Sequence, residues 1–330
     1  MRAVVCKKFG PPENLVVENV AEPVAGPGQV VIDVHAAAVT FPDALMIEDK
    51  YQFKAKPPFI PGGEVAGVVS ALGDGVEGLA VGDAVSGSAG ITGGFAERVA
   101  VGAAACRPLP KGMGFAEATG LLYSYGTGYY GLKHRGNLQA GETLLVLGAG
   151  GNVGLAAVEH GKLLGARVIA AASSPEKLAL CRERGADETI DYSRESLKDR
   201  TKALTEGRGA DVVYDVIGGE YAEAALRATA WNGRFLVIGF TAGIPKLPLN
   251  LVLLKGCQIV GVFLGGMAMN EPETRKSIER ELLELGASGR LQPYVSRRYS
   301  LDEAPQALRD LIDRRALGKV VVAPRGQIAH

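Results

Sequence analysis

At 330 residues the chain is too long for one ordinary domain and suits two. Apolar residues make up 47% and charged residues 22%, which supports a substantial core and excludes general disorder. Lysine plus arginine and aspartate plus glutamate total 36 each, so a net charge of zero offers no bulk attraction to nucleic acid or an anionic membrane.

The first third reads as short strands between Gly/Pro turns, at residues 3–6, 15–19, 30–38, 64–72, 84–86 and 96–101, a spacing that suggests a barrel or sandwich. From about Thr119 the texture changes to apolar runs at 143–147, 167–171, 188–190, 212–216 and 234–238, which resemble buried parallel strands. Helical patterns lie between them at 153–164, 175–184, 196–204 and 220–229, so a doubly wound sheet is expected. Ser174 as N-cap, Pro175 at the first helical position and Gly185 as stop bound one of these helices. The tail abandons the alternation: a helix at 273–285, a strand near 293–299, a helix opened by the capping box Ser300 to Glu303, and a strand at 319–323.

Four singly placed cysteines, with no CxxC pair and no secretory apolar segment, point to a reduced, cytoplasmic protein. The stretch 247–269 is broken by Lys255, Gln258 and several glycines, so no membrane span is expected.

Glycine is the outlier, 45 residues and roughly twice ordinary usage. One cluster carries chemistry: the strand Leu144 to Leu147 runs through Gly148, Gly151, Asn152, Val153 and Gly154 into a helix. Gly148 allows a tight turn, Gly151 lets backbone approach a phosphate, and Gly154 lets the helix pack closely. The helix N-terminus offers free N–H groups to a dinucleotide pyrophosphate. A cofactor without a 2′-phosphate would meet an acid about 20 residues on, but the second strand ends in Ser173 and Ser174. Lys177 lies in the first turn of the next helix, where it either meets a 2′-phosphate or is simply solvated. Tyr192, past the third strand, could serve adenine or phosphate, or only pack. NADPH is the expected cofactor.

These residues resemble the medium-chain dehydrogenase/reductase superfamily, and within it the zinc-free quinone oxidoreductases related to zeta-crystallin. The resemblance rests on Ala37 to Asp43, Asp49 to Gln52, Pro61 to Gly67, Tyr125-Gly126-Thr127 with Tyr129, the glycine turn, and Leu247 to Asn250 through Gly256. It implies a GroES-like β-barrel catalytic domain from residues 1–118 and 266–330 and a Rossmann domain from 119–265. It also implies Thr127, Gly239, Phe240 and Phe263 near the cofactor, and a homodimer paired through 258–263. Zinc-dependent relatives place Cys and His where this chain has Thr40 and Gly63, so no metal site is expected. His35, His134, His160 and His330 share no ligand spacing and read as surface or strand histidines.

Without zinc to polarise a carbonyl, hydride transfer to an electron-poor quinone or α,β-unsaturated carbonyl remains feasible, and a single hydrogen-bond donor can stabilise the developing charge. Tyr51 and Thr40 are the candidate donors, Tyr51 having a packing role as its alternative. Asp43 caps the helix after Pro42 or orients the loop. Two other classes stay open: an enoyl-thioester reductase on the same fold, and a non-catalytic NADPH-binding protein, structural or RNA-binding. No aromatic-interleaved basic patch supports RNA.

Overall fold

The computed structural model describes residues 1–326. The chain divides into two compact units, Met1–Leu121 with the chain from Leu283 onward, and Leu122–Leu282 between them. The first is built from β1 (Arg2–Val5), β2 (Val16–Asn19), β3 (Gln29–Ala38), β4 (Glu64–Leu72), β5 (Ala84–Ser88), β6 (Arg98–Gly102) and β7 (Cys106–Pro108), with α1 (Phe41–Ile47) and α2 (Phe115–Gly120).

The second unit continues with α3 (Gly126–Tyr129), β8 (Thr143–Leu147), α4 (Asn152–Leu163), β9 (Arg167–Ala172), α5 (Pro175–Glu183), β10 (Glu188–Asp191) and α6 (Leu197–Leu204). It is completed by β11 (Ala210–Asp215), α7 (Tyr221–Ala228), β12 (Thr229–Val237), α8 (Asn250–Lys255), β13 (Gln258–Gly261) and α9 (Leu264–Asn270). The chain returns through α10 (Pro272–Ala287) to β14 (Val295–Tyr299), α11 (Ala304–Ile312) and β15 (Lys319–Val322).

The split of the first unit has a packing cause. Its sheet runs β14-β15-β3-β4-β5-β7, with β6 also on β3, so the C-terminal β15 pairs antiparallel with Ala37 and Ala38 of β3. One core joins Ile32, Val34, Val65 and Phe95 to Tyr299, Leu308 and Val322. The first third therefore lacks part of its own core until the tail arrives. β3 is long because it serves three neighbours, and its ladder to β4 shifts register between Val31 and Ile32 and between Val34 and Ala36, irregularities that bend a sheet.

In the second unit six parallel strands lie in the order β10-β9-β8-β11-β12-β13. The order reverses between β8 and β11, and in such sheets ligands bind beyond the strand C-termini at that point. Leu145, Leu147, Ile169 and Val213 are fully buried, which is why these runs read as continuous apolar sequence.

The second crossing falls inside α10, at Leu282/Leu283, later than the 265/266 boundary expected from the sequence. Leu282 packs toward Gly126, whereas Gly286 approaches Met113 and Leu121 of the first unit. The capping box also differs: Glu303 reaches back to the Ser300 N–H and hydroxyl, but the helix begins at Ala304. No described helix is long and apolar enough to cross a membrane.

Candidate functional site

The turn after β8 is fixed by backbone sterics. Gly148 adopts φ +68°, a left-handed conformation that favours glycine, and a Cβ there would lie 2.6 Å from Val216. At Gly154 a Cβ would lie 2.2 Å from the Gly148 carbonyl oxygen, so α4 can start this close to the strand only with glycine. Gly151 differs. It is the N-cap of α4 in extended conformation, and a Cβ there would meet nothing nearer than 3.5 Å. Its missing side chain leaves room at the helix N-terminus, where an anion would sit. Asn152 donates its Nδ2 to Ser124 Oγ at 2.7 Å, tying the turn to the segment ahead of α3, and Val153 occupies the first turn of α4.

A fourth glycine matters that sequence reasoning passed over. A Cβ at Gly150 would lie 2.5 Å from Lys177 Cβ and 2.7 Å from its Cγ, so the Lys177 stem lies across the glycine turn. The only sequence signal was the Gly150-Gly151 doublet. Ser174 caps α5 by accepting from the Lys177 N–H at 3.4 Å, which places Ser173, Ser174 and Lys177 together at the C-terminal end of β9. Tyr192 follows β10, its N–H bonded to Ala172 at 3.2 Å and its ring 4.8 Å from that of Tyr221.

At the other side of the strand-order reversal, the loops following β11 and β12 are pinned to each other. Gly219 N–H donates to Gly243 at 2.7 Å and Ala242 N–H to Ile217 at 2.8 Å, which holds Gly239 and Phe240 at the strand end. Phe240 and Phe263 are exposed for large apolar residues, at 42% and 46%. Thr127 is buried and donates its hydroxyl to the Tyr123 carbonyl at 2.7 Å, a helical back-bond that removes it as a side-chain donor to a ligand.

In the first unit, Thr40 and Gly63, the two positions at which the sequence resemblance bears on a metal, are locked by hydrogen bonds and backbone contact. Asp43, buried in the first turn of α1, accepts from Thr40 N–H at 2.7 Å and Thr40 Oγ1 at 2.6 Å through one oxygen, and from Gly62 N–H at 3.2 Å through the other. Burial pushes its pKa up to about 6 against the pull of those three donors. Asp43 therefore caps the helix and orients the loop at once. The expectation of a Thr40 donor is not met by this geometry, because its one hydroxyl proton is already given to Asp43. A Cβ at Gly63 would lie 2.6 Å from the Gly90 carbonyl oxygen, leaving no room for a histidine on this backbone. Tyr51 sits half-buried on the loop after α1, its ring 5.9 Å from Phe53.

Among the described residues no three of His, Cys, Asp or Glu come together as a ligand set. All four cysteines are buried. His160 corrects the sequence reading: it is fully buried on α4 with Nε2 2.9 Å from the Tyr125 carbonyl, and burial pushes its pKa down to about 4. His35 stacks on Phe115 with ring centroids 4.4 Å apart, His134 is exposed, and His330 lies outside the described residues.

Residues 26–111 match the alcohol dehydrogenase GroES-like domain family and residues 152–283 the zinc-binding dehydrogenase family. The chain is 40% identical over 325 residues to the quinone oxidoreductase-like protein 2 homolog of Nematostella vectensis, covering 97% of this chain and 88% of that protein. A solved quinone oxidoreductase from Thermus thermophilus, also determined with NADPH, matches at 36% identity and TM-score 0.85, over 98% of this chain and 100% of that one. The Escherichia coli quinone oxidoreductase complexed with NADPH matches at 26% identity and TM-score 0.90, with the same coverage.

Proposed function

Since the chain belongs to the zinc-free quinone oxidoreductase branch of the medium-chain dehydrogenase/reductase superfamily, we propose that it is an NADPH-dependent oxidoreductase that reduces a quinone or another α,β-unsaturated carbonyl. The observation that carries the cofactor is the Lys177 stem lying across Gly150, beside a β9 end that holds serines and no acid. An ammonium there, with the Ser173 and Ser174 hydroxyls, suits a 2′-phosphate through charge-assisted hydrogen bonds. NADPH, when bound, supplies the hydride from its reduced nicotinamide.

The chain's own residues bind and orient. The N-terminus of α4 and the opening at Gly151 hold the pyrophosphate, and Gly239 with Phe240 line the strand end beyond the reversal. The residues at 40 and 63 do not fit a zinc ion, so no step passes through one. A conjugated acceptor tolerates this, since the incoming charge spreads onto an oxygen that one donor can stabilise. With the Thr40 proton committed to Asp43, Tyr51 is the donor we assign to that oxygen. The same reading includes a homodimer: β13 ends the sheet beside exposed Trp231, Leu253 and Leu254, an edge that a second copy would cover. A stable monomer in light scattering at micromolar concentration would remove that part.

Purified protein should oxidise NADPH with simple quinones or enones. Tyr51→Phe removes only the hydroxyl and should lower turnover roughly ten- to a thousandfold with little change in NADPH affinity. Unchanged turnover would return Tyr51 to a packing role.

A further inference from the structure

The hydrogen-bond network around Asp43 fixes the polarity of Thr40. A threonine hydroxyl has one proton to give and two lone pairs, and an ionised carboxylate only accepts. Thr40 Oγ1 lies 2.6 Å from Asp43 Oδ2, so its proton points at the carboxylate. The carboxylate cannot rotate to release it, because Oδ2 also holds the Thr40 N–H and Oδ1 holds the Gly62 N–H across a separation of 19 residues. Asp43 is 3% exposed, so water does not compete for these bonds. Thr40 itself is half-buried, its oxygen also faces the Asp43 N–H in the capping box of α1, and what it has left to offer a ligand is a lone pair.

We propose that Thr40 meets the substrate as a hydrogen-bond acceptor, held so by Asp43 as a positioning residue, and that the site therefore favours quinones or enones bearing a hydroxyl group beside the conjugated system. This rests on the functional reading above together with the sequence expectation that Thr40, like Tyr51, faces the acceptor. A bare carbonyl oxygen approaching Thr40 meets lone pair against lone pair, whereas a substrate hydroxyl finds a partner. A side chain with a spare N–H at this position would favour the bare carbonyl instead.

The test compares methyl-naphthoquinone with hydroxymethyl-naphthoquinone as acceptors, NADPH being saturating. The wild-type protein should favour the hydroxymethyl compound roughly three- to tenfold in kcat/KM, the effect of one hydrogen bond. Thr40→Val, which keeps the shape and removes the oxygen, should bring the ratio to about one, and Thr40→Asn should turn it toward the methyl compound. Each readout is a ratio within one protein, so a general loss of activity cancels. Equal use of both quinones by the wild type overturns the inference, as does a preference that survives Thr40→Val. Failure to reduce either quinone overturns the functional reading itself, and this inference with it.

Discussion

Two glycine-bearing loops of this protein use the same residue for opposite ends. In the turn from Gly148 to Gly154, glycine at 148 and 154 closes the strand onto the helix, and glycine at 151 leaves space at the helix N-terminus, where a Cβ would meet nothing nearer than 3.5 Å. In the loop at Gly62 and Gly63, glycine lets backbone close on backbone: Gly62 adopts φ +96°, a Cβ at Gly63 would strike Gly90, and a Cβ at Gly94 would come within 2.9 Å of the Gly62 carbonyl oxygen. In the proposed function the first loop makes room for the cofactor. The second leaves no room for a side chain at Gly63. A glycine in a binding motif is thus informative only with its neighbours in view.

The largest effect should separate two glycines within the first loop. Gly154→Ala sets a Cβ against a carbonyl oxygen and should cost about 3 kcal/mol of stability, with NADPH binding lost. Gly151→Ala should leave the melting of the ligand-free protein nearly unchanged yet weaken NADPH, since its Cβ meets only the incoming phosphate. Thermal unfolding and cofactor titration of both variants check this; equal destabilisation would erase the distinction.

Next, Lys177→Ala should weaken NADPH roughly ten- to a hundredfold and spare NADH, as expected for one charged contact of about 1.5–3 kcal/mol. Calorimetric titration with the two cofactors decides it, and equal losses would mean that the stem supports the turn without reading the phosphate.

The smallest effect belongs to the second loop. Asp43 has its pKa raised from an ordinary 3.8 to about 6, so the folded state binds its proton more tightly than the unfolded chain does. Its contribution to stability is full below the unfolded value and is lost as pH rises through about 6. Compared with the non-titrating Asp43→Asn, the wild type should gain on the order of 2 kcal/mol between pH 7 and pH 4. Urea unfolding of both proteins at several pH values cancels the carboxylates they share. Parallel curves would show that Asp43 titrates normally.

These loops were unequally legible in sequence. Strand β8, the glycine turn and α4 are contiguous, and buried runs of Leu, Val and Ala announce themselves locally. The Asp43 lock depends on Gly62, far along the chain, so the residues at 40 and 63 revealed what was missing and not what replaced it. The helical segment 115–135 escaped notice for a related reason. Gly120, Gly126, Gly128 and Gly131 depress its helix propensity, yet a Cβ at these positions would approach Lys319, Leu264, His160 and Tyr214 respectively. Two π-helical stretches, Leu121–Tyr125 and Tyr130–Arg135, further blur the 3.6-residue period. Glycine chosen for long-range packing thus hid a helix. Lys319 shows the same limit: it read as the start of a strand, but it is fully buried, and desolvation pushes its pKa down to about 8 against the pull of Glu64 and Glu117.

The proposed hydride transfer from NADPH to a conjugated acceptor needs no metal at Thr40 and Gly63. The direct measurement is NADPH oxidation by a naphthoquinone after exhaustive dialysis against a chelator, with NADH run in parallel. Turnover unchanged by the chelator, and faster with NADPH than with NADH, is the predicted result. Turnover that disappears with the chelator and returns with stoichiometric zinc would contradict it.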